Sequence, residues 1–228
     1  MLSIRDVSQI LGQRKVLENI SFEVRKHEIV ALMGPSGCGK SSLLNMISGF
    51  LSPDYGTINY VGENISFVFQ DDRLLPWKTV WENIAIVGEE KSDEKEICEL
   101  IREVGLEGFE HYKPSCISGG MKKRCGIARA FYYKSDLLLM DEPFQGLDFC
   151  LRQEMIKMLM NVWEKRQHSI LFVTHEIDEA FAVAGKIIVL SKSPARVLSE
   201  IQLPPYHERN NKKEQLNRIR EQIIEMIT

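Results

Sequence analysis

The sequence lacks the features of secreted, membrane-spanning and nucleic-acid-binding proteins. No apolar run approaches the roughly 20 residues that a helix needs to cross a bilayer, and no basic region followed by an apolar stretch opens the chain. The five cysteines include no C-x-x-C pair, which favours reduced thiols over a disulfide framework. The net charge of -3 supplies no basic field that would attract nucleic acid or anionic lipid.

The composition that is present is typical of a globular protein with a large core. Of the 228 residues, 44% are hydrophobic and 27% are charged. This length fits one large domain or a domain with an inserted subdomain. No internal repeat or low-complexity segment stands out along the chain.

Short apolar runs alternate with helical patterns over most of the sequence. We predict short strands within residues 1–25, with a turn at Gly12-Gln13. Further strands are predicted at residues 29–33, 57–61, 66–69, 137–140, 170–173 and 187–190, and helices at 40–49, 149–165 and 176–184. This alternation indicates a parallel sheet that is covered by helices on both faces.

Two segments depart from this alternation. Residues 72–133 follow helical spacing with glutamates on the polar face, which indicates a helical insertion with a solvated acidic side. Near the end of the chain, apolar residues at helical spacing predict an amphipathic helix that contains Leu216, Ile219, Ile223 and Ile227. We expect this helix to pack on its own domain, and the alternative is a contact with a partner or a membrane surface.

A complete phosphate-binding motif, G-x-x-x-x-G-K-[ST], runs from Gly34 to Ser41. It follows an apolar strand and opens a helix, so backbone N–H groups and the positive helix end face the phosphates. We expect Lys40 to reach the β- and γ-phosphates and the Ser41 hydroxyl to bind Mg²⁺. The expected nucleotide contacts in this loop are Gly34, Pro35, Ser36, Gly37, Cys38, Gly39, Lys40, Ser41 and Ser42.

Polar residues close three of the other predicted strands. Asp141 and Glu142 follow a buried strand, which suits Asp141 for the Mg²⁺ hydration shell and Glu142 for a general base that polarises water. His175 closes another strand and is a candidate for contact with the γ-phosphate. Gln70 ends a third strand, and its amide suits both Mg²⁺ and the attacking water.

The order of these motifs resembles the nucleotide-binding subunit of ATP-binding cassette (ABC) transporters over about residues 1–200. Gln70 matches the Q-loop, Ser118-Gly119-Gly120 the signature, Asp148 the D-loop and His175 the switch histidine. The resemblance implies an α/β P-loop NTPase cassette with a mixed sheet core, an antiparallel N-terminal β subdomain and an inserted helical subdomain. It also implies ATP and Mg²⁺ as cofactors, with Ser41, Gln70 and Asp141 at the metal.

The resemblance further implies a single ABC ATPase domain of residues 1–228 that is divided into subdomains. We expect a RecA-like core with its β subdomain at 1–71 and 134–200, a helical subdomain at 72–133, and a C-terminal helical extension at 201–228. Catalysis is assigned to Glu142, His175, Gln70 and Lys40. Ser118, Gly119 and Gly120 are expected to bind the γ-phosphate held by a second copy of the chain, which makes a head-to-tail homodimer.

A closer similarity connects the chain with the importer ATPases for nitrate, sulfonate, taurine and thiamine precursors. The segment from Phe67 to Trp77 and the Ser118-Gly119-Gly120-Met121 run carry this similarity. It implies integral-membrane permease subunits as partners, a substrate-binding protein as an indirect one, no nucleic acid, and a peripheral location on the cytoplasmic face of the membrane. Leu74, Leu75, Trp77 and Trp81 are expected either at the permease surface or in the core of the helical subdomain.

Some positions depart from the family pattern. Leu11 stands where the family usually stacks an aromatic ring on adenine, so aliphatic contact replaces stacking there. Lys122-Lys123 replaces the Arg-Gln pair that is frequent in the importer group, and the D-loop reads Gln145-Gly146-Leu147-Asp148. The alternatives to an importer are a soluble ABC-type ATPase without a permease and an exporter ATPase.

Overall fold

The computed structural model describes residues 1–88 and 93–227, which form two compact units. The first unit contains Met1–Gly62 and the chain from Ser169 onward, and the second contains Glu63–His168. Part of the predicted acidic helical face, at residues 89–92, lies outside the described residues. The predicted subdomain boundaries at residues 71, 133 and 200 do not coincide with the boundaries of these two units, which lie after Gly62 and His168. The division into a core, a helical subdomain and a C-terminal extension stays a prediction.

The elements are numbered in chain order through both units. The first unit contains β1 (Leu2–Leu11), β2 (Arg14–Val24), β3 (Ile29–Met33), α1 (Lys40–Ile47), β4 (Tyr55–Tyr60), β7 (Ser169–Thr174), α6 (Ile177–Val183), β8 (Lys186–Leu190), β9 (Val197–Gln202) and α7 (Lys213–Ile227). The second unit contains β5 (Ile65–Val68), α2 (Val80–Ala85), α3 (Glu94–Glu103), α4 (Gly119–Tyr132), β6 (Leu137–Asp141) and α5 (Phe149–Arg166).

An antiparallel sheet forms one part of the first unit, with the strand order β2-β1-β4. Gly12 adopts a positive φ of 64° in the turn between β1 and β2, as the turn prediction requires. The two strands have 10 and 11 residues, so the prediction of short strands here was wrong. Alternating burial along β2 explains this length, because its inward side chains form a continuous apolar face.

The second sheet of the first unit centres on β3. Parallel strands β7 and β8 flank β3, and all residues of these three strands are buried, as in sheets covered on both faces. β9 was missed from the sequence; it pairs antiparallel with β8 and makes the sheet mixed. Its residues alternate between half-buried and exposed, so it lacks the continuous apolar run that marks the other strands.

The second unit combines helices with the parallel pair β5 and β6. A capping box at Thr79 and Glu82 begins α2, and the Asp93 carboxylate caps α3. The helices are also joined by ion pairs: Arg166 on α5 lies 2.8 Å from Glu96, and Lys165 lies 2.8 Å from Glu103, both on α3. The helices α2 and α3 of the insertion therefore begin at side-chain caps of residue types that favour this position.

The C-terminal helix α7 packs on its own unit, against β8, as the sequence indicated. Ile219 and Ile223 are buried, whereas Leu216 and Ile227 are half-buried. No helix in the described part of the chain combines the length and the apolar character needed to cross a membrane.

Substitution of Gly56 tests the packing of the antiparallel sheet. Gly56 has φ 85°, and a Cβ there would collide with the carbonyl oxygens of Arg5 and Asp6. Gly12 has φ 64°, but a Cβ there meets no described atom within 4 Å. We expect Gly12→Ala to cost about 1–2 kcal/mol from its left-handed backbone, and Gly56→Ala to cost at least about 1 kcal/mol more from the collision. Urea unfolding measures both; equal losses would contradict the collision.

Candidate functional site

The phosphate loop connects β3 to α1 and folds back around its own lysine. Lys40 is only 5% exposed, and its Nζ donates hydrogen bonds of 2.8 Å to the carbonyl oxygens of Gly34 and Pro35. These two bonds hold the ammonium inside the curve of the loop. A positive charge is thereby fixed at the position where the loop backbone turns.

Close packing forces two of the loop positions to be glycine. Gly39 has φ 108°, and a Cβ on it would lie 2.7 Å from a Leu17 methyl group. A Cβ on Gly34 would lie 3.0 Å from the Leu190 side chain and backbone. The loop is therefore pressed against β2 and β8, which fixes its shape without a ligand.

The first turn of α1 is suited to an anion. Gly39 occupies the N-cap position and provides no side-chain acceptor for the first backbone N–H groups of the helix. Ser36, Gly37 and Ser41 are exposed around this end. Uncapped N–H groups, the helix dipole and the adjacent Lys40 charge together form a receptor for phosphate oxygens.

Cys38 is a packing residue of the loop. Its side chain is 1% exposed, and its Sγ lies 4.0 Å from Lys40 Nζ. Burial raises the pKa of the Cys38 thiol, although the nearby lysine charge lowers it in part. Because the thiolate is the form that reacts with oxidants, this environment counts against an oxidation-sensitive loop.

His175 lies at the strand end beside the phosphate loop. Met33, the last residue of β3, pairs in parallel register with Thr174, the last residue of β7. Gly34 and His175 follow these two paired residues directly, so the first unit brings the loop and the histidine to the same sheet edge. His175 is exposed there, next to Glu176, whose carboxylate lies 3.7 Å from the ring.

A parallel pair also joins two predicted site segments in the second unit. Val68 at the end of β5 pairs with Met140, the residue before Asp141. Gln70 and the Asp141-Glu142 pair therefore follow neighbouring strand ends. Asp141 is 9% exposed, and Glu142 adopts φ 47°, a left-handed backbone that costs a non-glycine residue about 1–3 kcal/mol. The backbone therefore leaves the extended conformation of the strand at Glu142.

Three side chains that sequence reasoning did not assign hold the Q-loop. Gln70 Nε2 donates a 2.5 Å hydrogen bond to Gln145 Oε1, which joins the Q-loop to the D-loop. Lys123 and Arg129 on α4 donate to the carbonyl oxygens of Gln70 and Arg73 at 3.3 and 3.1 Å. In the sequence, the only hint of these contacts was that Gln145 and Lys123 depart from the family pattern.

The signature residues begin α4. Ser118 is the N-cap, and its Oγ accepts a 3.3 Å hydrogen bond from the Met121 backbone N–H. A Cβ on Gly119 or Gly120 would meet no described atom within 4 Å. The helix end is thus built from small residues that leave its N–H groups accessible. Asp148 caps α5 in the same way, accepting from the Leu151 N–H at 3.0 Å.

The remaining predicted positions are accessible. Leu11 is 51% exposed at the end of β1, where a ligand ring can contact it. Trp77 is 66% exposed, whereas Leu74, Leu75 and Trp81 are half-buried, so the apolar segment divides between surface and core. A groove of about 650 Å³ next to it is lined in part by Asp72, Arg73 and Lys122.

The structure thus assembles the predicted residues in two groups. The phosphate loop, Leu11 and His175 belong to the first unit, where β3 and β7 bring the loop and the histidine together. Gln70, Ser118, Asp141 and Glu142 belong to the second unit, where β5 and β6 bring the Q-loop and the two carboxylates together.

Solved structures with this fold include nucleotide-bound cassettes. One is the dimeric structure of a post-hydrolysis state of an ATP-binding cassette bound to ADP and Pi; it is 28% identical, has a TM-score of 0.77, and the match covers 90% of this chain and 100% of that one. The ATP-binding subunit of an ABC transporter gives a TM-score of 0.79 over 98% of the chain at 24% identity, which shows the fold alone.

Curated relatives match nearly the whole chain. The aliphatic sulfonates import ATP-binding protein SsuB of Bacillus cereus is 38% identical, over 98% of this chain and 94% of the relative. The taurine import ATP-binding protein TauB of Escherichia coli is 39% identical, over 89% and 84%. The ABC transporter family model matches residues 17–145. On this evidence the chain belongs to the ABC transporter family.

Proposed function

We propose that the protein is the ATP-hydrolysing subunit of an ABC importer. The observation that carries this proposal is the phosphate loop, folded around Lys40 beside the strand end that leads to His175. Relatives that are named import ATP-binding proteins for aliphatic sulfonates and taurine support the direction of transport. The cargo is accordingly a small anion of the sulfonate type, with a thiamine-precursor-like solute as the alternative.

ATP binding is assigned to the loop of the first unit. Residues 34–42 surround the phosphates, which bind to the backbone N–H groups that every one of these residues except Pro35 carries and to the Lys40 ammonium. Leu11 contacts the adenine. Signature residues Ser118, Gly119 and Gly120 bind the γ-phosphate held by a second copy. An accessible helix end capped only by Ser118 supports this assignment, because it supplies N–H donors to an anion outside the chain.

The side chains proposed as Mg²⁺ ligands carry oxygen atoms of the types that this cation binds. Ser41 offers an exposed hydroxyl, Asp141 a carboxylate, and Gln70 an amide oxygen separate from the Nε2 that bonds Gln145. Hydroxyl, carboxylate and amide oxygens are the ligands that this hard cation prefers. When bound, the metal offsets phosphate charge during phosphoryl transfer.

Hydrolysis requires a base that takes a proton from the attacking water. Glu142 is proposed as that base, and its left-handed backbone directly after β6 supports the role because such strained conformations cluster at active sites. Gln70 orients the water, and His175 contacts the γ-phosphate. Lys40 stabilises the charge that develops on the phosphate oxygens.

Two copies of the chain and a membrane permease complete the proposed machine. The head-to-tail homodimer is supported by the dimeric solved cassette that resembles this chain. Permease subunits would bind the groove beside the Q-loop, where Trp77 is exposed, which places the protein peripherally on the cytoplasmic face of the membrane. A substrate-binding protein belongs to the complex without touching this subunit.

Replacement of the proposed base separates ATP binding from hydrolysis. We expect Glu142→Gln to lower kcat at least about 100-fold while ATP still binds, because only the proton acceptor is lost. Size-exclusion chromatography with ATP and Mg²⁺ should then show a stable dimer. Steady-state hydrolysis at the parental rate would exclude Glu142 as the base.

A bulky cation at the signature tests the shared site. Ser118→Arg should leave ATP binding to the isolated chain unchanged and abolish both dimer formation and hydrolysis, since the arginine fills the accessible helix end. The matched control is Glu99→Arg at an exposed position of α3, which should dimerise and hydrolyse ATP like the parent. Full turnover by the Ser118 variant would contradict the sandwich dimer.

The permease surface is tested by copurification. A tag on the proposed permease subunit should retain the parental chain in detergent extracts and lose most of the Trp77→Glu variant, because a carboxylate replaces the exposed indole. ATP hydrolysis by the isolated Trp77→Glu chain should equal the parental rate. Equal retention of both chains would exclude Trp77 from the interface, and ribosome or DNA pull-down instead would favour a soluble ABC-type ATPase.

A further inference from the structure

The helix that follows the proposed switch histidine depends on contacts from elsewhere. α6 has only seven residues, and its N-cap residue, Glu176, makes no side-chain cap. A helix of this length is not stable by itself in water, so tertiary contacts set its position. Those contacts come in large part from the C-terminal segment, defined here as residues 204–227.

One buried arginine of the C-terminal segment closes the last turn of α6. Arg209 is 8% exposed and lies in a short 3₁₀ helix, Tyr206–Asn211. Its guanidinium donates to the carbonyl oxygen of Ala184 at 2.5 Å and also to that of Phe181. These carbonyls belong to the end of α6, where no intrahelical donor remains, and a cation there also complements the helix dipole.

The same guanidinium ties α6 to its own segment. Arg209 Nε donates to the Pro204 carbonyl oxygen at 2.9 Å. A planar guanidinium can serve three carbonyls at once, whereas a lysine ammonium offers a single centre on a flexible stem. Arg209 is therefore a rigid link between the chain after β9 and the end of α6.

A second arginine contacts the start of α6. Arg220 on α7 forms an ion pair with Asp178 in the first turn of α6, and its Cζ lies 5.3 Å from the Phe181 ring. The buried Ile219 and Ile223 anchor α7 itself. The C-terminal segment thus holds both ends of the short helix.

A buried hydrogen bond couples the position of α6 to the turn that carries His175. Glu179, on α6, is 4% exposed and accepts a 2.5 Å hydrogen bond from Thr174 Oγ1. The same hydroxyl accepts from the Glu176 backbone N–H at 3.0 Å. Thr174 and Glu176 are the two neighbours of His175, so a displacement of α6 moves the turn that carries the imidazole.

We propose that Arg209 is a positioning residue for His175, and that the C-terminal segment adjusts ATP hydrolysis through it. The proposal rests on the proposed function of His175 at the γ-phosphate. It gives the C-terminal helix a role in turnover in addition to covering β8. Because the phosphate loop is held by its own contacts to β2 and β8, Arg209 acts on turnover and leaves ATP binding intact.

Steady-state and single-turnover ATP hydrolysis by three single variants test the link between Arg209 and turnover. Arg209→Gln should lower kcat about tenfold with KM for ATP unchanged, the pattern of a lost transition-state interaction. The kcat of Arg209→Lys should lie between those of the parent and Arg209→Gln, since lysine keeps the charge but lacks the planar guanidinium that binds three carbonyls. Arg218→Gln, at an exposed arginine of α7, is the matched control and should retain the parental kcat.

The decisive comparison uses a background without the histidine. His175→Ala should lose most hydrolysis, and adding Arg209→Gln to it should cause no further loss, because the pathway through His175 is already absent. The same fold loss with and without His175 would overturn the proposal. Parental turnover by His175→Ala would instead refute the proposed function of His175, and this result is read independently of Arg209.

Folding of each variant is measured, so that a loss of turnover can be distinguished from a loss of folded protein. Fluorescent ATP-analogue binding and urea unfolding are measured for each variant. If Arg209→Gln fails to bind nucleotide, the comparison is made with Arg209→Lys in the same two backgrounds. Parental kcat in the folded Arg209 variant, or a loss that appears as a raised KM, would contradict positioning of His175.

Discussion

The in-register parallel pairing of β3 with β7 is the constraint on which the first unit depends. It places Met33 beside Thr174, so the phosphate loop and His175 leave the sheet at the same edge. Complete burial of both strands makes a register slip costly, because every side chain would move to the opposite packed face and lose its neighbours. β5 and β6 repeat this arrangement in the second unit, where Val68 pairs with Met140 and aligns the Q-loop with the carboxylates.

The loops at these strand ends are held by their own polar contacts, and each contact limits a different motion. Lys40 bonds two carbonyls of its own loop, and Gly39 and Gly34 press that loop against neighbouring strands. The Q-loop is held by side chains of α4 and by Gln145. The phosphate loop has a fixed shape, because Lys40 is buried and the loop packs against β2 and β8, whereas the Q-loop rests on exposed hydrogen bonds that exchange readily with water. A rigid phosphate loop and a Q-loop that is held by exposed contacts suit the proposed coupling of nucleotide binding to a partner protein.

Much of this site could be predicted from the sequence, because it consists of local signals. The G-x-x-x-x-G-K-[ST] run needs its glycines, the caps at Ser118 and Asp148 need a short oxygen-bearing side chain, and buried strands need continuous apolar runs. β9 could not be predicted in this way, since half-buried alternation over six residues is a weak pattern. The length of β1 and β2 was underestimated because their faces alternate and their register shifts at irregular positions.

The sequence by itself determined the family, the residues of the phosphate loop, and the alternation of buried strands and helices on either side of the helical insertion, apart from β9. Each of these follows from neighbouring residues and the allowed geometry of a few peptide units. Only the tertiary structure decided that Arg209 caps α6, that Gln145 bonds Gln70, and that Cys38 is buried beside Lys40. Those contacts join residues whose meeting depends on how strands and helices pack. A lone arginine far from a motif carries no local sign of the carbonyl groups that it will bind.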